Sequence, residues 1–581
     1  MKGEAMRLNG SEMVIEALRN EDVKVVFGYP GGAVMNIYDA IYKQTYFEHI
    51  LMRHEQAAVH AADGYARASG DVGVAILTSG PGFTNAITGI ATAYADSIPL
   101  VIISGQVPTG LIGTDAFQEI DAVGISRPCT KHNYLVRHIE DLPRILKEAF
   151  YIAKSGRPGP VHIDIPKDIT ATSGEFEYPT EITLKTYKPN YKGNAKQIKK
   201  VADALKRSKK PLLYLGGGIV HSNASEIVRA FVHKLQLPAV ETLMARGVLE
   251  SRDPMLLGMV GMHGNYVSNI AMSETDLLIS IGARFDDRVT SKLSEFARYA
   301  EIVHIDIDPS SIAKIVDVHY PIVGDVNEVI SELITLTHED WRVAWKGWRM
   351  QLERYNALHP LGYVDSNAPL KPQWVVERIG QILGERAMIA TDVGQHQMWA
   401  AQFYPFSFAR QFITSGGLGT MGFGLPAAIG VRLACPHKIA VNITGDGSIL
   451  MNIQELMTAV EARIPVINVI LNNNYLGMVR QWQTFFYDKR YAHTDLSLQP
   501  DFVRLAESFG GIGFVCNTKE EFDVALAQAE ESGRVALLDV RIHRLENVLP
   551  MVPTGSGLSS MMLDYHDEAT PTNTMAAKCP R

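Results

Sequence analysis

The stretch VNITGDGSIL, Val441–Leu450, runs an apolar segment into Gly445-Asp446-Gly447 and then into residues suited to a helix. An apolar run ending on a carboxylate with no side-chain bulk on either side reads as a buried strand that opens into a loop. The glycines leave room for a group to approach the backbone closely. The next apolar run, VINVIL, ends in Asn472-Asn473-Asn474, and Asn473 stands 27 positions after Asp446. In a parallel sheet, loops after neighbouring strands emerge on one edge, so the two residues are expected to converge across one β-α-β unit. A carboxylate and an amide oxygen are hard ligands suited to Mg²⁺, which usually keeps water and phosphate oxygens as well. Upstream, GLGTMG at Gly417–Gly422 matches the dinucleotide pattern G-x-G-x-x-G, and Asp446 follows Gly422 by 24 positions. That is close to the spacing of a ribose-binding acid, so an NAD-binding domain is the rival reading. The second glycine beside the acid and the three asparagines, which ribose binding does not require, weigh against it.

Working outward, short β-rich runs alternate with helical stretches along most of the chain, as a parallel sheet covered on both faces requires. The charged segment EFEYPTEITLKTYKPNYKGN breaks the alternation and reads as a linker; a polar helical stretch near EDWRVAWKGWRMQLERYNALHP precedes a second one. The 581 residues thus divide into three doubly wound α/β units, 1–180, 190–350 and 370–550, with an arm at 551–581. The first and third units share a rhythm expected of a duplication. Composition is ordinary for a soluble protein: 46% hydrophobic and 20% charged. A net charge of −8 supplies no basic excess for nucleic acid, and no apolar run is long enough to span a membrane. Four cysteines, Cys129, Cys435, Cys516 and Cys579, are too widely spaced for a metal or redox pair and read as reduced thiols. The expected location is cytoplasmic.

One acid stands apart from this edge. MRHEQAAVHAADGYARASG places Glu55 at the head of a small-residue helix. A glutamate there is ordinarily stabilised by the helix dipole, but a buried one is costly unless it is bonded.

GDGS…LNNN resembles the fingerprint of thiamine-diphosphate enzymes. The resemblance implies that Asp446, Asn473 and the backbone carbonyl of Tyr475 ligate Mg²⁺, and that Glu55 bonds the cofactor's aminopyrimidine. In that family the glutamate meets a cofactor held by another subunit, which implies a homodimer or tetramer with sites at the subunit interface. From VFGYPGGAVMNIYDAI to ENVLPMVPTG the chain resembles the acetohydroxyacid synthase family, through GQVPTGLIGTDAFQE, SGRPGPVHIDIPKDI, GARFDDRVT, DVGQHQMWAAQFY and LGMVRQWQ. That family decarboxylates pyruvate and joins the hydroxyethyl group to a second 2-ketoacid, pyruvate or 2-ketobutyrate, as a carboligase of branched-chain amino-acid synthesis. A flavin-dependent pyruvate oxidase of the same fold is the alternative.

The likeness also implies positions. Arg288 would bind the acceptor carboxylate, Trp482 would pack on its extra methyl, and Gln118 and Lys167 would lie near the reacting centre. Gly32, Val393, Gly394, Gln395, His396, Gly419, Met421, Gly445, Gly447, Ser448, Gly477 and Met478 would surround thiamine diphosphate, Met421 as its apolar wedge. Gly216, Gly217, Gly218, Gly261, His263, Gly282, Arg284, Asp306, Ile307, Asp325 and Val326 would hold an FAD with no net redox role. The family's bacterial enzymes usually work with a small regulatory subunit.

Overall fold

The computed structural model describes residues 6–564. Three six-stranded sheets, parallel throughout, follow one another along the chain. The first has the spatial order Glu48–Leu51, Val25–Gly28, Gly73–Leu77, Leu100–Gln106, Pro160–Pro166, His132–Leu135. The third runs Phe412–Ile413, Ala387–Thr391, Ile439–Gly445, Val466–Asn472, Ala536–Arg541, Ile512–Cys516. Counted along the chain, both are 2-1-3-4-6-5, so the shared rhythm of the two units is a shared topology. The central sheet runs Leu256–Met259, Ala239–Glu241, Pro211–Leu215, Leu277–Ile281, Glu301–Asp306, Tyr320–Val323. That is 3-2-1-4-5-6, the doubly wound dinucleotide order. Inner strands such as Val466–Asn472 are buried at every residue, because helices cover both faces; they therefore read as continuous apolar runs without alternation.

The first and third units share one core. Helix Glu55–Ser69 lies against helix Gly424–Ala434, and the alanines of both belong to a single apolar cluster. A Cβ on Gly64 would stand 2.3 Å from the Ala427 carbonyl oxygen, and one on Gly430 would stand 2.0 Å from that of Ala61. Small residues at the crossing let the two backbones touch.

The structure adds detail at two edges of the units. The segment read as a linker begins as a strand: Ser173–Phe176 pairs antiparallel with Met6–Asn9, because Phe176 is buried. Beyond Val552 the arm packs on the central unit: the Val552 N–H donates to the Met262 carbonyl, and Leu558 is buried. The arm's remainder, 565–581, with Cys579, lies outside the described residues; Cys129, Cys435 and Cys516 are free thiols. Among the described residues no helix is long and apolar enough to cross a membrane.

Candidate active site

Every sheet presents candidate residues at its carboxyl edge, where ligands of open α/β sheets bind. On the first sheet, Gly32 follows Val25–Gly28, Glu55 follows Glu48–Leu51, Gln118 lies beyond Leu100–Gln106, and Lys167 follows Pro160–Pro166. Glu55 is the first residue of its helix and only 9% exposed; the Asn85 amide donates to its carboxylate at 3.0 Å. Gly82 faces it closely, since a Cβ there would come within 3.3 Å of Glu55 Oε1. Gln118 adopts φ +60° and presses its backbone on Gly80, so one glycine turn touches both Gln118 and Glu55. The Lys167 side chain is exposed, while its carbonyl accepts from Asn36 at 3.4 Å.

On the third sheet the strand ends enclose a cavity of about 80 Å³. Val393, Gly394, Gln395, His396, Met421, Gly445, Asp446, Gly447, Ser448, Asn473, Tyr475, Gly477 and Met478 all line it. Asp446 is 2% exposed; burial pushes its pKa up to about 7, and the Gln499 amide donates to it. The Asn473 amide donates to Gln395 at 3.2 Å, and its oxygen accepts from the Tyr475 N–H at 3.1 Å. His396 is buried and held neutral, its pKa lowered to about 3, and its Nε2 has no partner among the described residues. Its ring fills the space where a Cβ of Gly445 would lie, 2.8 Å from Nδ1.

These features fit a phosphate-bearing cofactor held through a cation. A buried carboxylate needs a positive partner to stay ionised, and an orphaned ring nitrogen is a free polar contact. Among the described residues no group of three or more His, Cys, Asp or Glu side chains could hold a metal. The donor set is one carboxylate, one amide and a carbonyl, which suits Mg²⁺ sharing phosphate oxygens. Sheet order also disposes of the ribose reading of Asp446. Strands Phe412–Ile413 and Ile439–Gly445 flank Ala387–Thr391 on opposite sides, so GLGTMG and Asp446 do not end adjacent strands. Gly419, with φ +72°, opens instead on a second and larger cavity.

That cavity, about 610 Å³, is walled by all three units. Gly217, Gly218, His263, Gly282, Arg284, Asp306, Ile307, Asp325 and Val326 line it, as do Arg288 and Trp482. Gly216 and Gly261 do not line it. Their closest neighbours are backbone: a Cβ would stand 2.2 Å from the Gly282 carbonyl oxygen and 2.7 Å from that of Arg288. These two glycines serve the tight packing of the turns. Arg284 pairs with Asp286; Arg288 is exposed, its backbone N–H donates to Asp286 at 3.0 Å, and its guanidinium pairs with Asp287 at 3.9 Å. The Trp482 Nε1 is buried without a partner among the described residues. Met478 lines both cavities, so they meet at its side chain.

Sequence reading missed the residues that hold this wall together. Asp96 accepts the N–H groups of Gly416 and Gly417 at 3.0 and 2.7 Å, and buried Arg67 bridges Asp96, Asp63 and the Thr414 carbonyl. Asp63 and Arg67 stand four apart on one helix, but the backbone groups that Arg67 and Asp96 hold, at Thr414, Gly416 and Gly417, lie more than 300 positions away and no local pattern marks them.

Three families match the chain in order: the thiamine pyrophosphate enzyme N-terminal TPP binding domain over residues 8–125, the central domain over 198–333, and the C-terminal TPP binding domain over 392–540. The acetolactate synthase large subunit of Haemophilus influenzae is 48% identical over 97% of this chain and all of its own length. The acetolactate synthase isozyme 3 large subunit of Escherichia coli is 47% identical over 96% of this chain and 98% of its own length. A probable acetolactate synthase large subunit of Methanocaldococcus jannaschii is also 47% identical, covering 96% of this chain and 95% of its own length. With three thiamine pyrophosphate enzyme domains in order and such likeness end to end, the chain belongs to the acetolactate synthase large-subunit family of thiamine-diphosphate enzymes.

Proposed function

We propose that this protein makes 2-acetolactate from two molecules of pyruvate with loss of one CO₂, and 2-aceto-2-hydroxybutyrate when 2-ketobutyrate is the acceptor. The observation that carries this reading is the junction at Met478 of two cavities: one is walled by Asp446 and Asn473, the other by Arg288 and Trp482. Thiamine diphosphate bound there supplies the carbon nucleophile and electron sink that decarboxylation of a 2-ketoacid needs. Asp446, Asn473 and the Tyr475 carbonyl would hold Mg²⁺, and the glycine-flanked turns offer N–H groups to the diphosphate. Glu55, buried and bonded to Asn85, is suited to hold a proton at a pyrimidine ring nitrogen. Arg288 presents an exposed guanidinium that can bind an acceptor carboxylate as a bidentate fork, while Trp482 offers an apolar wall to its alkyl group. Gln118 and Lys167 would act from the first sheet's edge.

An FAD would occupy the larger cavity, with Asp306 and Asp325 at strand ends and the Gly216–Gly218 turn beside it, and would serve a structural part. Glu55 lines neither cavity, which supports an assembly in which a second copy supplies it. That the relatives are called large subunits supports a smaller partner chain.

The test is one assay of the purified protein with pyruvate, thiamine diphosphate, Mg²⁺ and FAD, scored for acetolactate (as acetoin after acid) and for consumption of an electron acceptor. Acetolactate without acceptor consumption is expected. Stoichiometric electron transfer without acetolactate would replace this reading with a pyruvate oxidase.

A further inference from the structure

The turn that delivers Glu55 is gripped from another part of the chain. Strand Glu48–Leu51 passes into helix Glu55–Ser69 through Met52, Arg53 and His54. His54 caps the helix locally, its ring accepting from the Gln56 N–H. Met52 bonds to the neighbouring strand, its N–H donating to the Gly28 carbonyl at 3.0 Å, and further contacts come from helix Glu455–Glu461 of the third unit. The Arg53 N–H donates to both carboxylate oxygens of Glu455, at 3.1 Å each. The Thr458 hydroxyl bonds the Leu51 carbonyl at 3.2 Å and Glu455 at 2.7 Å. The Arg53 guanidinium pairs with Glu461 nearer the surface.

Glu455 is fully buried and Thr458 is 1% exposed. A carboxyl group in such a place is costly unless bonded, and these bonds go to the junction two residues before Glu55. The same segment also reaches the loop that carries Met421. Gln454 donates to Asn452 at 3.1 Å, and Asn452 donates to the Gly422 carbonyl at 2.7 Å.

We propose that Glu455 is a positioning residue for Glu55: by accepting the Arg53 N–H it fixes the first turn of helix Glu55–Ser69 and so the place of the Glu55 carboxylate. The inference rests on the reading of Glu55 given above. Glu455→Gln keeps the shape but replaces one acceptor oxygen with an amide donor. Glu461→Gln disturbs only the outer ion pair and serves as the comparison.

In the full-length protein, Glu455→Gln should lower kcat roughly ten- to a hundredfold, the scale of a misplaced reacting group. KM for pyruvate and the affinity for thiamine diphosphate with Mg²⁺ should stay within about twofold, since those contacts lie elsewhere. In the protein without cofactor, amide hydrogen exchange at Arg53 should quicken in Glu455→Gln and stay unchanged in Glu461→Gln. Should Glu455→Gln fail to accumulate, Thr458→Val, which removes the hydroxyl on Glu455 and Leu51, is expected to show the same split in weaker form. An unchanged kcat would overturn the proposal, and so would a joint fall of kcat, cofactor affinity and thermal midpoint. Glu55→Gln is measured beside them by exchange of the cofactor's C2 proton. Normal exchange there overturns the reading of Glu55 and the proposal together; loss there with normal exchange in Glu455→Gln overturns the proposal alone.

Discussion

Trp482 stands in the wall of the larger cavity with Arg288, although 194 positions separate them in sequence. Nothing in the local pattern distinguishes this tryptophan from a core residue. Only the family likeness of LGMVRQWQ singled it out; it and the cationic candidate Arg288 line the same cavity. If it packs on the extra methyl of 2-ketobutyrate, its loss should cost about the worth of one methylene, roughly 1–3 kcal/mol of preference. Trp482→Leu, given both acceptors in competition, should shift products toward acetolactate by about tenfold; an unchanged ratio would remove Trp482 from the acceptor site. Asp446 was a candidate for a different reason: strand, glycine, acid and glycine are consecutive, although it took Asn473, 27 positions on, to set a cation site against the ribose reading. Gln499, which donates to Asp446, was not, because it sits 53 positions on in a loop whose composition says only loop.

Strands were legible where burial on both faces makes them continuous apolar runs, and their order was not, because register and neighbours are set by helices packed far away. The clearest case joins strands Leu100–Gln106 and Pro160–Pro166 of the first sheet. Asp164 is 1% exposed and accepts from the Ser104 hydroxyl at 2.7 Å and the Gln106 amide at 2.9 Å; that amide also donates to the Ile120 carbonyl, two residues beyond Gln118. Burial pushes Asp164 up to about 7, with the charge of Asp121 adding to the rise. His162, also bonded to Ser104, is held neutral by burial, its pKa lowered to about 3. Between the ordinary carboxylate range and about pH 7, the folded protein therefore keeps a proton on Asp164 that the unfolded chain has lost. Stability from this group is full below that window and falls as pH rises through it. Asp164→Asn removes the dependence. The difference in unfolding midpoint between variant and parent should move in the variant's favour from about pH 4.5 to about pH 7.5. Parallel profiles would mean that Asp164 is ionised in the fold.

At the scale of the whole molecule, the two groups proposed for one site stand apart. Glu55 lies at the edge of the first sheet, Asp446 lines the cavity of the third, and no wall of that cavity includes Glu55. Large apolar side chains stand exposed beside both edges: Met35 at 53% and Phe117 at 88% near the first, Met451 at 53% and Val479 at 51% near the third. Exposed apolar surface gathered at two half-sites is what a second copy would cover, and a twofold arrangement would set each first unit against its partner's third. Sequence alone reached this only through the family likeness, since two residues 391 positions apart carry no sign of which copy each serves. The arrangement has a decisive genetic form. Glu55→Gln and Asp446→Ala chains, each inactive alone, are co-expressed with different tags, and the mixed dimer is isolated through both tags. If sites are shared, one site of the mixed dimer holds both defects and the other holds neither. Activity should then return to about half that of the parent dimer. If each chain instead completes its own site, every site of the mixed dimer carries one defect and the preparation stays inactive.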